Sequence, residues 1–232
     1  MPRQPNITQA KTKFLVELQK ARSMYDAFEG LPRRINPRAA SGIHPKHLHK
    51  ARELAFLGVV GAWEEFLEQS LVRYAMGVET INGYRPVLIA QPCRTVMDAY
   101  RLVSGEPLYH PSRDYLKRMN NPSSVANIAR RLFSTHPFGC IGAYSGLLNN
   151  ATILRNRIAH KSTKSRHAFV GTAKWFLQSQ ANPMPLSQSF SPGALLGKHV
   201  QRHFAAPLVS AGTTHFEAYL RLYGDLSNTI VP

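Results

Sequence analysis

The sequence predicts an all-α protein, and two patterns carry that prediction. Apolar residues recur at helical spacing along the longest segments, most clearly between residues 54 and 74. Proline, glycine and capping residues divide these segments where helices are expected to begin and end. With 232 residues, 44% of them hydrophobic, the chain is long enough to bury one sizeable core. We therefore expect a single helical domain over residues 1–232.

The first part of the chain is predicted to hold two long helices. Residues 7–28 form the first, with Asn6 or Thr8 as its cap. The second opens at Pro45, because proline fits the first turn of a helix, and runs to about Met76. Its predicted core stripe consists of Phe56, Val59, Val60, Trp63, Phe66, Leu67, Ser70, Leu71 and Tyr74.

Shorter helices are predicted in the rest of the chain. Asn121 and Pro122 form a cap followed by a proline at the first helical position. A glycine-containing break at 136–142 and a loop with three prolines at 182–193 separate the later helices. The predicted helical segments are 94–103, 113–119, 122–133, a segment containing 147–160, 165–178, and a last region at 194–223 that breaks near Pro207.

The charge is strongly positive and unevenly distributed. Lys and Arg number 29 against 13 Asp and Glu, which gives a net charge of +16. No acidic residue occurs between Asp114 and Glu217, and a second acid-free run extends from Leu31 to Arg52. A strongly positive surface suits RNA, DNA or an anionic membrane, and about a hundred residues without a counter-charge favour a polyphosphate partner.

Cysteine usage and hydropathy point to the cytoplasm. Cys93 and Cys140 are too few for a disulfide scaffold and suit a reducing compartment. Residues 1–20 contain no apolar signal core. The longest apolar run, residues 54–63, is too short for a bilayer, which takes about 20 residues. We expect a cytoplasmic protein without a membrane partner.

The segment Arg155-Asn156-Arg157-Ile158-Ala159-His160 carries a fixed cation, a carboxamide and an imidazole within a turn and a half of helix. Asn156 and His160 are four residues apart and share a face roughly opposite the core stripe of that helix. His160 is therefore expected to face solvent or another subunit. The predicted core stripe consists of Leu147, Ala151, Leu154 and Ile158.

Arg-Asn-x-x-Ala-His, preceded by an apolar helix and a loop, resembles the Arg-x4-6-His signature of HEPN domains. Residues 62–68, Ala-Trp-Glu-Glu-Phe-Leu-Glu, also resemble the long second helix of the RiboL-PSP-HEPN-like group. The resemblance implies a HEPN-like helical bundle with additional peripheral helices and a homodimer that pairs two motifs. It also implies metal-independent RNA cleavage without a cofactor, with Arg155, Asn156 and His160 as the catalytic residues.

The residue types suit this chemistry. RNA carries its own nucleophile, the 2′-OH, next to the scissile phosphate. A histidine can exchange a proton at neutral pH, and an arginine can hold two phosphate oxygens as negative charge grows on them. One histidine cannot easily act as both base and acid, whereas a symmetric dimer supplies two. The expected products are 2′,3′-cyclic phosphate and 5′-hydroxyl ends.

Further charged residues complete the predicted site. Glu64, Glu65 and Glu68 are expected to form a solvated face or ion pairs, and the alternative is an acid that orients Arg155 or His160, for which Glu64 is the candidate. The absence of acids between 115 and 216 argues against a two-metal nuclease, which needs several convergent carboxylates. The candidate contacts to the RNA backbone, with ordinary solvation as an equal alternative, are Arg157, Lys161, Lys164 and Arg166.

Two other patterns favour a structural interpretation. His44, His47 and His49 could hold zinc, but no cysteine or acid lies nearby in sequence to complete a shell, so we interpret them as a polar helix start and predict no metal site. Trp175 and Phe176 are predicted to lie in the core rather than to stack on bases, because Phe169 and Phe176 share a helix face.

Three functions are compatible with these patterns. The first is a HEPN-type endoribonuclease, a toxin or antiphage effector that cuts tRNA or messenger RNA as a homodimer and is controlled by an antitoxin or regulatory protein. The second is a non-catalytic helical module that binds nucleic acid or a partner. The third is a HEPN partner of a nucleotidyltransferase, in which a tyrosine near the motif would be modified; Tyr144 is present but lies well before Arg155.

Overall fold

The structure is a computed structural model that describes residues 6–34, 42–114, 116, 119–177 and 186–232. Within these residues the fold is all-α, as predicted, and none of the helices is long and apolar enough to cross a membrane. A small antiparallel sheet joins β1 (Val87–Leu88) to β2 (Phe133–Thr135). The helices are α1 (Ile7–Glu29), α2 (Pro45–Ala75), α3 (Val96–Ser104), α4 (Pro122–Leu132), α5 (Cys140–Ala143), α6 (Ser145–Ala159), α7 (Thr163–Leu177), α8 (Pro192–Leu196) and α9 (His215–Ile230).

The chain divides into two compact units. The first consists of Met1–Val16, Gly61–Asn149 and Tyr223–Pro232, and the second of Glu17–Val60 and Asn150–Leu222. The motif residues at 155–160 belong to the second unit, whereas Glu64 belongs to the first. The single domain expected over residues 1–232 stays a prediction.

Local capping residues set several helix starts where the sequence predicted them. The Asn6 side-chain oxygen accepts a hydrogen bond of 2.8 Å from the Thr8 N–H, which caps α1. Asn121 caps α4 by accepting hydrogen bonds from the two N–H groups of Ser123 and Ser124, at 3.0 and 3.2 Å. Each cap pairs N–H groups that the first turn of a helix leaves without an intrahelical partner.

The first unit has an aromatic core. The Phe14 ring stacks on Phe66 with ring centroids 5.1 Å apart and lies 5.6 Å from Trp63. Trp63 in turn lies 5.2 Å from the ring of Tyr223. The core stripe predicted for α2 begins in the second unit and continues into the first, and every residue of it is buried, which confirms the helical period read from the sequence.

In the second unit, aromatic contacts join α7 and α1 to α9, and a side-chain hydrogen bond joins α7 to α6. Phe176 of α7 lies edge-on to His215 with ring centroids 4.8 Å apart. The Thr172 hydroxyl of α7 donates a hydrogen bond of 2.9 Å to the side-chain oxygen of Asn150 in α6. Tyr25 stacks on Phe216 at 4.4 Å. The helix that carries the motif is therefore tied by side chains to the helix that follows it.

One predicted helix is wrong, and another region is less helical than predicted. The segment 113–119 was predicted as a helix, and residues 115, 117 and 118 of it lie outside the described part of the chain. Asp114 is not helical: it follows a turn, and its backbone N–H donates a hydrogen bond of 2.8 Å to the carbonyl of His110. The last helical region was predicted over 194–223 with a break near Pro207, but the interruption is much longer, since α8 already ends at Leu196 and only a short 3₁₀ turn at Ala206–Leu208 precedes α9. Helix α9 begins at His215, because Thr214 and Glu217 form a reciprocal cap. The Thr214 N–H donates a hydrogen bond of 2.9 Å to the Glu217 carboxylate, and the Glu217 N–H donates one of 3.3 Å to the Thr214 hydroxyl.

The two-stranded sheet was also not predicted. Phe133 had been interpreted as the end of a helix, but it begins β2 and is paired with Leu88 of β1. The predicted proline-containing loop at 182–193 lies partly outside the described residues. Its described end contains the start of α8, capped by the Ser191 hydroxyl, which accepts a hydrogen bond of 3.2 Å from the Ala194 N–H.

Candidate functional site

Helix α6 holds the motif with its apolar side buried. Leu147, Ala151 and Leu154 are at most 6% exposed, as predicted, whereas Ile158 is only half-buried. The helical hydrogen-bond pattern continues one residue past the end of α6, because the His160 N–H donates to the Asn156 carbonyl at 2.9 Å. The relative orientation of Asn156 and His160 is thus set by helical geometry.

His160 lies at the turn between α6 and α7, and its side chain is exposed as the sequence predicted. Its backbone is held by the Ser165 hydroxyl, which donates to the His160 carbonyl at 2.6 Å. The Ser162 hydroxyl accepts a hydrogen bond of 3.2 Å from the Ser165 N–H and so caps α7. The turn therefore presents an imidazole to solvent on a backbone that both helices fix.

Arg155 and Asn156 are brought together. The guanidinium of Arg155 donates a hydrogen bond of 3.2 Å to the Asn156 side-chain oxygen, and both residues are half-buried. Five residues of helix place Arg155 about 140° around the axis from His160, whereas Asn156 lies about 40° from it. Asn156 is thus the member of the motif that lies between the other two around the helix.

The predicted RNA contacts differ in their surroundings. The Arg157 guanidinium reaches across the turn to the carbonyl of Ser162 at 3.4 Å and the hydroxyl of Ser165 at 3.5 Å, both at the long limit of a hydrogen bond. Lys161 and Lys164 are exposed. Arg166 is half-buried. The two lysines are therefore the cations beside His160 that are most accessible to a phosphate.

The sequence segment that contains this turn is almost entirely positive. Residues 150–222 contain nine Lys and Arg and a single acid, Glu217. That carboxylate lies 3.2 Å from the guanidinium of Arg22 and also accepts a hydrogen bond from the Thr214 hydroxyl at 2.9 Å. The one negative charge in this segment is therefore already matched by a cation, and the local field favours anions.

The three acids of α2 that were considered for the site, Glu64, Glu65 and Glu68, belong to the first unit. Glu65 is exposed and forms an ion pair of 2.6 Å with Lys13, in agreement with the solvated face predicted for it. Glu68 accepts a hydrogen bond of 3.1 Å from the Tyr100 hydroxyl, and burial raises the pKa of its carboxyl. Glu64 is half-buried on the same helix, and its role as an orienting acid stays a prediction.

His44, His47 and His49 lie at the start of α2. The Nδ1 atom of His44 accepts a hydrogen bond of 3.1 Å from the Lys46 N–H, and α2 begins at Pro45 as predicted. The rings of His44 and His47 lie edge-on with centroids 6.0 Å apart. The described residues contain no group of three or more His, Cys, Asp or Glu side chains that could hold a metal ion.

The cysteines are not poised as nucleophiles. Cys93 and Cys140 are free and half-buried. Burial raises the pKa of both thiols, that of Cys140 to about 11. The thiolate, which is the reactive form, is therefore disfavoured at neutral pH.

The prediction for Trp175 is wrong. Phe176 is fully buried as expected, but Trp175 is 39% exposed. Consecutive residues of a helix are about 100° apart, so Trp175 lies beyond the edge of the face that Phe169 and Phe176 share. The sequence contained a signal for this, since exposed or small residues (Lys164, Ala168 and Gly171) precede Trp175 at helical spacing on the same side.

Comparisons of the chain with protein-family models, with curated proteins and with solved structures found no match.

Proposed function

We propose that this protein is a metal-independent endoribonuclease of the HEPN type, active as a homodimer and serving as a toxin or antiphage effector. The proposal is supported above all by the exposed His160 at the α6–α7 turn, held beside Asn156 in a segment with nine cations and one paired acid. RNA is the substrate that combines a polyanionic backbone with an internal nucleophile.

The proposed reaction begins at the 2′-OH. The His160 imidazole of one protomer takes the 2′-OH proton, and the 2′ oxygen attacks the adjacent phosphorus. The bond from phosphorus to the 5′ oxygen breaks, and the leaving 5′ oxygen takes a proton from the imidazolium of the second protomer. The products are a 2′,3′-cyclic phosphate and a 5′-hydroxyl, and water is not a reactant in this step.

Arg155 and Asn156 have separate roles in this proposal. The guanidinium of Arg155 stabilises the negative charge that grows on the phosphoryl oxygens. Asn156 is a positioning residue that accepts a hydrogen bond from Arg155 and lies on the same face as His160. Lys161 and Lys164 attract the RNA backbone to the turn.

The direct test is cleavage of mixed tRNA and messenger RNA in EDTA by the wild type, His160→Ala and Arg155→Ala. His167→Ala is a matched control, because it removes another exposed histidine of the same unit outside the motif. We expect cleavage by the wild type and the control only, with 2′,3′-cyclic phosphate ends. Ends with a 3′-hydroxyl, or cleavage by all four proteins, would contradict the mechanism or the site.

The dimer is tested by mixing subunits. If each site needs His160 from both protomers, wild type coexpressed with an equal amount of His160→Ala should retain about one quarter of the activity of the same total amount of wild type, because only wild-type pairs are active. A retained activity of about one half would show that each protomer acts alone. Salt-sensitive binding without cleavage by any protein would support the non-catalytic binding module instead.

A further inference from the structure

The exposed side of α7 carries an aromatic pair that neither the core nor the motif requires. The indole of Trp175 stacks on the imidazole of His203, with ring centroids 3.5 Å apart and planes inclined by 14°. Trp175 is 39% exposed and His203 is also exposed. Both residues belong to the second unit, as does the motif. The pair therefore presents flat aromatic surface to solvent.

The imidazole of His203 is fixed in this position. His203 has a backbone φ of 72° and is the one non-glycine residue with positive φ in the described part of the chain. That conformation is uncommon for a residue with a side chain. Its Nε2 atom lies 2.8 Å from the Trp175 carbonyl oxygen, and since a carbonyl only accepts, Nε2 carries the proton. The carbonyl is among the last four of α7, which lack partners within the helix.

The face of α7 that leads to this pair carries a lysine and small residues. Lys164, Ala168, Gly171 and Trp175 lie within about 60° of one another around α7 and all four are exposed. A Cβ atom added at Gly171 would meet no atom within 4 Å apart from the backbone of its own helix, so the helix surface is open there. Lys174, also exposed, adds a cation next to Trp175. A cation, small residues and an aromatic pair thus follow one another along a single helix face.

We propose that Trp175 and His203 form a stacking platform for an unpaired base of single-stranded RNA, with Lys174 and Lys164 contacting the neighbouring phosphates. Single strands are bound by aromatic rings that stack on bases beside cations that track the backbone. A duplex keeps its base faces hidden, so it cannot use the platform. An acidic peptide could pair with the lysines but has no general need for a flat aromatic surface.

The platform extends the proposed function, because it specifies that the bound RNA is unpaired. It rests on the proposed function only in assuming that the bound strand is RNA. Twelve residues of α7 separate Trp175 from Thr163 at the motif end, a distance of about 18 Å. A stacked strand advances about 3.4 Å per nucleotide, so roughly five nucleotides would join the platform to the motif turn.

The test uses a 2′-O-methyl oligonucleotide of about 12 nucleotides, a length within the usual site size. Its blocked 2′ oxygen prevents cleavage, so that binding is measured alone. The chain has two tryptophans, and Trp63 is only 4% exposed, so quenching of tryptophan emission on binding reports on Trp175. We expect quenching in the wild type and binding by Trp175→Ala weaker by about fivefold or more, the loss of one stacked base. Trp175→Phe, which keeps a ring, should bind more tightly than Trp175→Ala.

Two controls separate stacking from charge and from folding. Trp175→Ala should leave the salt dependence of binding unchanged, whereas Lys174→Ala should reduce its slope by about 0.7. His203→Gly removes the second ring and suits the positive φ, so it should weaken binding without backbone strain. Binding of the matching RNA duplex should not depend on Trp175.

Equal affinity of the wild type, Trp175→Ala and His203→Gly, or bound oligonucleotide without quenching, would overturn the platform. The outcome is independent of catalysis. If binding depends on Trp175 but RNA is not cleaved, the proposed nuclease activity is contradicted and the platform is supported. If cleavage requires His160 but binding does not depend on Trp175, the platform is contradicted and the nuclease activity is supported.

Discussion

The backbone N–H of His160 donates a 2.9 Å hydrogen bond to the carbonyl of Asn156, which extends the helical pattern of α6 to the residue that begins the turn. The imidazole is therefore exposed on a backbone with helical order rather than on a loose loop. Catalytic side chains act best when their supports hold them close to the productive geometry. The residues around this hydrogen bond are thus the ones whose replacement should separate positioning from chemistry.

Asn156→Ala removes the side-chain oxygen that accepts the 3.2 Å hydrogen bond from the Arg155 guanidinium. We expect the cleavage rate to fall about tenfold to a hundredfold, because a displaced guanidinium stabilises the transition state less. Asn156→Asp keeps the acceptor but brings a negative charge to the RNA, so it should mainly weaken binding at low salt. Single-turnover cleavage and binding of an uncleavable strand measure the two effects. An Asn156→Ala variant that cleaves at the wild-type rate would contradict the positioning role.

Ser165→Ala removes the hydroxyl that donates to the carbonyl of His160 at 2.6 Å and lies 2.9 Å from the carbonyl of Ser162. The free energy of unfolding should fall by about 1 kcal/mol, the usual loss for one hydrogen bond. Cleavage should also fall, since the turn that carries the imidazole loosens.

The matched control is Ser162→Ala, which removes the cap of α7 at a similar cost of about 1 kcal/mol but leaves the hydrogen bond to His160 in place. Thermal unfolding and cleavage are measured for both variants. Equal losses of cleavage in the two would mean that general stability, and not the anchored carbonyl of His160, controls activity.

Local signals in the sequence accounted for several helix starts. Asn6, Pro45 and Asn121 act within a few residues of themselves, so their effect on α1, α2 and α4 could be predicted. The exposure of His160 could be predicted for the same reason, because its angle to the buried stripe of α6 depends only on helical periodicity. The orientation of the Arg155 side chain toward Asn156 could not be predicted, because it depends on a rotamer.

Contacts between distant parts of the chain were not predictable in this way. The pairing of β1 with β2 joins Val87 to Thr135, and the stack of Trp175 on His203 joins residues 28 positions apart. The position of His203 further depends on a backbone conformation that no local pattern indicated. The exposure of Trp175 itself could have been predicted from its angle to Phe176.

Stability should decrease as the pH falls from about 6.5 toward 4, and His215 contributes to this. It is 1% exposed, its Nδ1 lies 2.8 Å from the Lys198 carbonyl, and burial lowers its pKa to about 4. The unfolded chain, with an ordinary histidine pKa near 6.5, binds the proton first, so protonation favours unfolding in that window. The full contribution is about 3 kcal/mol, of which about 2 kcal/mol falls between pH 7 and pH 5.

Urea unfolding of His215→Phe at pH 7 and pH 5 isolates this contribution. The phenyl ring can keep the edge-on contact with Phe176 but cannot titrate. Burial also lowers the pKa of His49 and His136, so the variant should lose only part of the pH dependence. His167→Phe, at an exposed position, should keep all of it. A His215→Phe variant with the same pH dependence as the wild type would show that His215 does not bind a proton on unfolding in this window.

Lys161 and Lys164 should each contribute to the salt dependence of RNA binding, because both are exposed beside His160 in a segment with a single acid. Each contact with a phosphate of a single strand contributes about 0.7 to the slope of log affinity against log salt. We expect Lys161→Ala and Lys164→Ala each to reduce the slope by about that amount. Lys20→Ala is the matched control, because this lysine of the same unit already forms an ion pair of 2.7 Å with Glu17. An equal reduction in all three variants would mean that the contacts with RNA phosphates are spread over the positive surface and are not concentrated at the turn.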